Sequence, residues 1–187
     1  MIKNKTKKIK NKGFSLVETL VAITILLVTM TAPLYALTQA VLFASIARDK
    51  IIATSLAEEG IEYVRSIRDN NYLNGRFWLA GIDGTSNGRN QAACGRDGTA
   101  RSACVVDVKA DTVGLCLIVD CPLLKISTIT KGYELTGAFP DSKFKRYFVY
   151  IDDLTNTQRK IIRMTVTWTE RGKNYSVTLD NYLYNWQ

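Results

Sequence analysis

The chain has 187 residues, 47% hydrophobic and 22% charged, an ordinary globular composition that excludes a collagen-like, a wholly disordered or a polytopic membrane protein. It contains no histidine, which removes His-based acid/base catalysis, Ser-His-Asp and Cys-His triads and His metal sites. The net charge of +8 is a property of the beginning of the chain: six of the 25 basic residues are Lys3, Lys5, Lys7, Lys8, Lys10 and Lys12, and setting them aside leaves 19 basic against 17 acidic residues.

The first predicted element is an apolar helix. From Phe14 to Ala47 the one charged side chain is Glu18, and residues 19–37 alone reach the roughly 20 residues that span a bilayer. Lysines before the span and few after it place the N-terminus in the cytoplasm and the body outside. An ordinary secretory signal peptide is the competing account, but the apolar run is too long and no clean cleavage site ends it, although Ala44-Ser45 and Ala47 keep that account open. Glu18 is the anomaly. A carboxylate in such a helix costs about 2–3 kcal/mol and calls for a partner, unless it simply reaches the interface near the leader lysines.

The context of Glu18 is Lys12-Gly13-Phe14-Ser15-Leu16-Val17-Glu18-Thr19-Leu20. This segment resembles the processing site of type IV prepilins, shared by pilins and the pseudopilins of type II secretion. The resemblance covers roughly residues 1–70. It implies cleavage by a prepilin peptidase after Gly13, methylation of the new N-terminus at Phe14, and Glu18 as the fifth residue of the mature chain. It further implies assembly through Phe14 and Glu18 with other pilin or pseudopilin subunits on an inner-membrane assembly platform. The expected organisation is a leader over 1–13, a transmembrane and assembly helix over 14–47, and an exported head over 48–187. The expected location is a single-pass inner-membrane protein that passes into a pilus or pseudopilus.

Beyond the membrane the helix continues, with Ile52, Leu56, Tyr63 and Ile67 on one face, Ala53, Ala57 and Val64 beside them, and Gly60 filling the missing turn. Glu62 with Arg65, and Arg65 with Asp69, are expected as charge pairs on the wet side. Asp69-Asn70-Asn71, followed by Leu73-Asn74-Gly75, supplies a stop, giving a helix over about 14–69 of roughly 84 Å at about 1.5 Å per residue. Pro33 removes one backbone donor inside it. The resemblance implies a helix break near Pro33; a tolerated transmembrane proline is the plainer account.

Residues 74–102 hold glycines, Asn and Ser and read as a long surface connection, without a phosphate-binding glycine motif. Phe77-Trp78 reads as the anchor where this connection rejoins the core. Arg76, Arg89, Arg96 and Arg101 make it basic; a solvated loop is preferred over a nucleic-acid or glycan contact. Cys94, Cys104, Cys116 and Cys121 fall in one 28-residue window on the exported side. An even count there favours disulfides, with three possible pairings, of which the local one is the first choice. A zinc site lacks the C-x-x-C knuckle, and no metal or cofactor is expected. Asp152-Asp153 reads as solvated or turn-forming strand-end acids, and Asp107, Asp111 and Asp120 lack a calcium-loop spacing.

The last third alternates with period two. Tyr147, Val149 and Ile151 oppose Phe148, Tyr150 and Asp152; Ile162, Met164, Val166 and Trp168 share one face; Tyr175, Val177 and Leu179 answer after a turn at Glu170-Arg171-Gly172-Lys173. The fold class is therefore α+β: a long N-terminal helix, half transmembrane and half amphipathic, packed on an antiparallel sheet, as in pilin-like heads. The leading reading is a non-enzymatic, minor structural subunit of a type IV pilus or type II secretion-like pseudopilus. A pilus-associated adhesin or DNA/glycan-binding subunit acting through the Cys-rich loop is the alternative.

Overall fold

The computed structural model of the protein describes residues 13, 15–88, 90, 92–94 and 102–185. The chain divides after Ser45 into two compact units. Its architecture is α+β and pilin-like: one long helix, α1 (Leu16–Leu73), and a seven-stranded antiparallel sheet.

The first unit holds the apolar part of α1. Its 18-residue apolar window has a mean hydropathy of 2.2, and none of that window is buried. The threonines do not interrupt it, because their hydroxyls bond back to the preceding turn: Thr19 to the Leu16 carbonyl, Thr24 to Val21, Thr29 to Leu26, Thr31 to Val28 and Thr38 to Tyr35, at 2.7–3.0 Å. A hydroxyl satisfied by its own helix is tolerable where no water is available. The expected break at Pro33 is not present, since α1 runs through it as one helix. Proline deletes only the bond its own nitrogen would donate, and an apolar setting penalises opening any further backbone bond.

In the second unit α1 buries a stripe through Asp49, Ala53, Leu56, Ala57, Gly60, Val64, Ile67 and Asn71. These positions repeat every three or four residues, so they lie on one face. Small residues along its centre bring the helix close to the sheet. At Gly60 a Cβ would sit 2.7 Å from Met164 Cε and 3.2 Å from Arg146 Cδ, so glycine is needed for this approach.

Of the two expected charge pairs, Arg65–Glu62 is formed. The second is not: Arg65 turns its other nitrogen to Asn181 Oδ1 (2.9 Å), and Asp69 pairs with its neighbour Arg68 (2.7 Å). The helix also outlasts Asp69-Asn70-Asn71. Asn71 points into the core, where its Nδ2 donates to the Trp78 and Ala80 carbonyls, so it cannot act as a stop. The chain turns instead at Gly75 (φ +62°), with Gly75 N–H bonding Tyr72 O and Arg76 N–H bonding Asn71 O. That is a Schellman cap, for which a left-handed glycine is the favoured residue.

The connection after the helix is only partly a surface segment. Trp78, Leu79, Ala80, Ile82, Ala92 and Cys94 are buried, while Phe77 is exposed, so Trp78 is the anchor. The strands are β1 (Ser102–Asp107), β2 (Thr112–Leu117), β3 (Leu123–Ile126), β4 (Tyr133–Glu134), β5 (Asp141–Asp152), β6 (Arg159–Glu170) and β7 (Lys173–Tyr184). β5 is central. One edge pairs with β6 over most of its length, and β6 with β7; the other edge is shared by β3 near Lys145 and β1 at Phe148. β2 extends β1 and β4 extends β3.

The β6–β7 turn is Arg171-Gly172, with φ of +49° and +75°, the signs of a type I′ hairpin turn. Phe144, Phe148 and Tyr150 of β5, Ile162, Met164, Val166 and Trp168 of β6, and Val177 of β7 form the core with α1. The opposite face is not all solvent. Ala103 and Val105 of β1, Val149 of β5 and Cys121 make a second small core, flanked by Cys116, Ile118 and Leu135.

Carboxylates pin the loops of this head. Asp153 accepts from the Thr155 hydroxyl and N–H (2.8 Å for the latter) and pairs with Arg159; these bonds bring its pKa down to about 2. Burial alone would raise the Asp107 carboxyl, but bonds from the Thr136 hydroxyl and N–H and from the Ala110 and Lys109 N–H groups hold it below its ordinary value. A carboxylate with a lowered folded pKa contributes stability above its unfolded pKa, about 3.9, and loses it as pH falls through the folded value. Thermal melts are therefore expected to fall most steeply between about pH 4 and pH 2, and Asp153→Asn to flatten that fall. A melting temperature unchanged across this window contradicts the assignment.

Candidate assembly site and the cysteine bridges

The start of α1 carries the sequence-predicted assembly residues. The Ser15 carbonyl accepts from the Glu18 and Thr19 N–H groups at 3.0 and 3.2 Å, closing the first turn. Glu18 lies in that turn, exposed, where the positive end of the helix dipole favours an anion. Gly13 has nothing within 4 Å of the position a Cβ would take. Phe14 lies outside the described residues, as do the leader lysines and Arg89, Arg96 and Arg101.

What surrounds Glu18 along the helix is apolar and exposed, apart from threonines whose hydroxyls are taken up by the helix itself. Leu16 is 78% exposed, and Val17, Leu20, Val21, Ile23, Ile25, Leu26, Leu27 and Val28 point to every side of the helix. A helix apolar all round is a buried helix, in lipid or among other helices. The contrast with the stripe from Asp49 to Asn71, where one face alone is buried, marks two different jobs on one element.

The four cysteines come together in two local pairs. Cys94 is bonded to Cys104 and Cys116 to Cys121, with Cα separations of 5.2 and 5.0 Å. The first bridge ties the connection after α1 to β1, and Cys94 N–H also bonds the Ile82 carbonyl at 2.8 Å. The second closes the loop holding Ile118, over the small outer core. In the chain-entropy account, loops this short contribute about 2–3 kcal/mol each.

Asp153 forms the turn after its strand, accepting from the Thr155 N–H, and both acids are also paired. Asp152 pairs with Lys160 at 2.5 Å and Asp153 with Arg159. Two charged clusters went unrecognised in the sequence. Arg146, 1% exposed, donates to the Leu56 carbonyl (3.0 Å), Glu59 Oε2 (2.5 Å) and the Val106 carbonyl (3.1 Å). Lys143 bridges the fully buried Asp49 (2.5 Å) and Glu170 (2.8 Å). Burial alone would lower the Lys143 ammonium, but the two carboxylates hold it above its ordinary value. Both clusters have a legible signal: Arg146 and Asp49 fall on the apolar phase of their strand and helix.

Residues 8–32 match the family described as the prokaryotic N-terminal methylation motif, which is the signature of type IV pilins and prepilins. The match spans the Lys-rich leader, Gly13, Phe14, Glu18 and the first turns of the apolar helix. It implies processing by prepilin peptidase and assembly with other pilins, and with the apolar helix it fits a single-pass inner-membrane protein. No curated protein and no solved structure matches the chain.

Proposed function

We propose that this chain, which carries the type IV prepilin methylation motif, is a minor structural subunit of a type IV pilus or a type II secretion-like pseudopilus. Residues 1–13 are the cytoplasmic leader, 14–47 the membrane and assembly helix, and 48–187 the exported head. Prepilin peptidase cuts between Gly13 and Phe14, and Phe14 becomes the methylated N-terminus. The observation that carries this reading is the matched motif at the head of a helix whose apolar surface is exposed on all sides from Leu16 to Leu37. Such a surface is stable in lipid before assembly and among neighbouring helices after it.

The minor role is supported by the head. It has a seven-stranded sheet, two disulfides and a second small core on the face away from α1, more than a repeating packing unit needs. Quantitative mass spectrometry of sheared filaments is expected to find this chain well below the most abundant pilin. Finding it as the bulk subunit overturns the minor assignment.

A further inference from the structure

An open cavity of about 470 Å³ lies on the face of the sheet turned away from α1. Its floor is one register row. Leu123 of β3, Lys145 of β5, Thr167 of β6 and Ser176 of β7 are successive cross-strand partners, so their side chains stand side by side. Phe144 and Phe148, out of phase with Lys145 on β5, point the other way, into the core with α1. Tyr147 continues the floor along β5, and Asn174 along β7. Ile118 and Val119 form a side wall on a short 3₁₀ turn, within the loop that the Cys116–Cys121 bridge closes.

The floor presents donors that have no partner of their own. Among the described residues Lys145 makes no ion pair and no hydrogen bond, and the Tyr147, Thr167 and Ser176 hydroxyls are likewise unbonded. Burial pushes the Tyr147 phenol above its ordinary value, which keeps it a neutral donor. Asn174 Oδ1 accepts from the Thr169 hydroxyl (2.8 Å), which leaves its Nδ2 as a donor. No carboxylate belongs to the described lining; Asp120, next to Val119, is outside it. Lys143, the other cation of the lining, is already engaged by Asp49 and Glu170 (2.5 and 2.8 Å).

The lining therefore asks for a ligand with two unlike parts. One unmatched ammonium among neutral O–H and N–H donors fits a singly charged carboxylate, whereas a dianionic phosphate finds a single open cation there. Ile118, Val119 and Leu123 offer an aliphatic surface, which a bare inorganic anion cannot use. The geometry points to this cavity as a binding site for a small organic carboxylate with a branched aliphatic body. The carboxylate sits on Lys145 and the Thr167 and Ser176 hydroxyls, and the body lies against Val119 and Leu123. The cavity is wholly within the second unit, apart from the matched motif, so the inference goes beyond the filament reading and its test needs no assembly.

The test uses the full-length chain in a zwitterionic detergent near neutral pH, with empty micelles as the blank. It is titrated with N-acetyl-leucine, its neutral amide, acetate and inorganic phosphate up to about 10 mM. Saturation-transfer NMR and calorimetry report binding. N-acetyl-leucine is expected to bind about tenfold tighter than each of the other three. Lys145→Gln is expected to bring the acid down to the affinity of its amide. Lys145 bonds nothing internal, so this variant keeps the fold, which unchanged melting verifies. Val119→Ser, at a side chain 86% exposed, is expected to weaken acid and amide alike. No binding of the acid within this range, equal binding of the amide or of phosphate, or an unaltered affinity in either variant overturns the site.

Discussion

Glu18→Gln is expected to insert, to be cleaved and to fold its head as the parent chain does, yet to enter filaments or pseudopili about tenfold less. The substitution keeps the size of the side chain and makes the helix more apolar, so membrane insertion does not suffer. Glu18 lies in the first turn of α1, with no ion pair among the described residues. In the proposed assembly, cleavage after Gly13 creates an α-amino group on Phe14, with an ordinary pKa of about 7.7–8.0, and this cation meets Glu18 of a neighbouring subunit. Breaking a fully buried ion pair costs about 3–5 kcal/mol, because the remaining charge is stranded. At the membrane edge the loss is smaller, but about 1.4 kcal/mol already shifts an association constant tenfold. The readout is the amount of this chain in sheared filaments or crosslinked complexes, divided by its membrane pool. Wild-type incorporation of a correctly cleaved Glu18→Gln chain contradicts the charge pair.

Arg146→Ala is expected to be the most damaging single change in the head. The side chain fills space beside Gly60 and Met164 and joins α1, β1 and β5 through the Leu56 carbonyl, Glu59 and the Val106 carbonyl. Truncation leaves a cavity and removes all three bonds, a loss of about 3–5 kcal/mol by comparison with large-to-small core changes and broken buried pairs. For a unit of this size that corresponds to a melting point lower by roughly 10 °C. Arg146→Met separates volume from charge. It refills most of the space, and Glu59, 44% exposed at its side chain, turns to water, so its cost is expected to be under about 2 kcal/mol. Equal melting of Arg146→Ala and wild type contradicts this account.

How much of this was legible depended on how each element is buried. β5, β6 and β7 were readable because one face meets α1 and the other is largely wet, which imposes strict alternation from Ile162 to Trp168 and from Tyr175 to Leu179. β1 was not. Ala103, Cys104, Val105 and Val106 are all buried, on two different cores, so period two disappears and the run reads like a cysteine loop. β4, two residues long, leaves no pattern. The helix ends later than Asp69-Asn70-Asn71 suggests because Asn71 is a core residue, and of the two stop signals the Leu73-Asn74-Gly75 run is the one that acts. Arg146 and Asp49 were visible as charges on apolar phases, but parity cannot say which partner satisfies them. At the assembly site the spacing of Gly13, Phe14 and Glu18 was the whole signal, since a site completed by a neighbouring subunit leaves no pocket in one chain.

The central claim is that the chain matures at Gly13 and keeps its apolar helix. The most direct measurement is the intact mass and N-terminal peptide of the protein isolated from membranes or filaments. The account predicts loss of residues 1–13, a new N-terminus at Phe14 and one added methyl group on its nitrogen. A mature N-terminus near Ala47, with the apolar helix removed, contradicts it and returns the segment to the class of cleaved secretory signals.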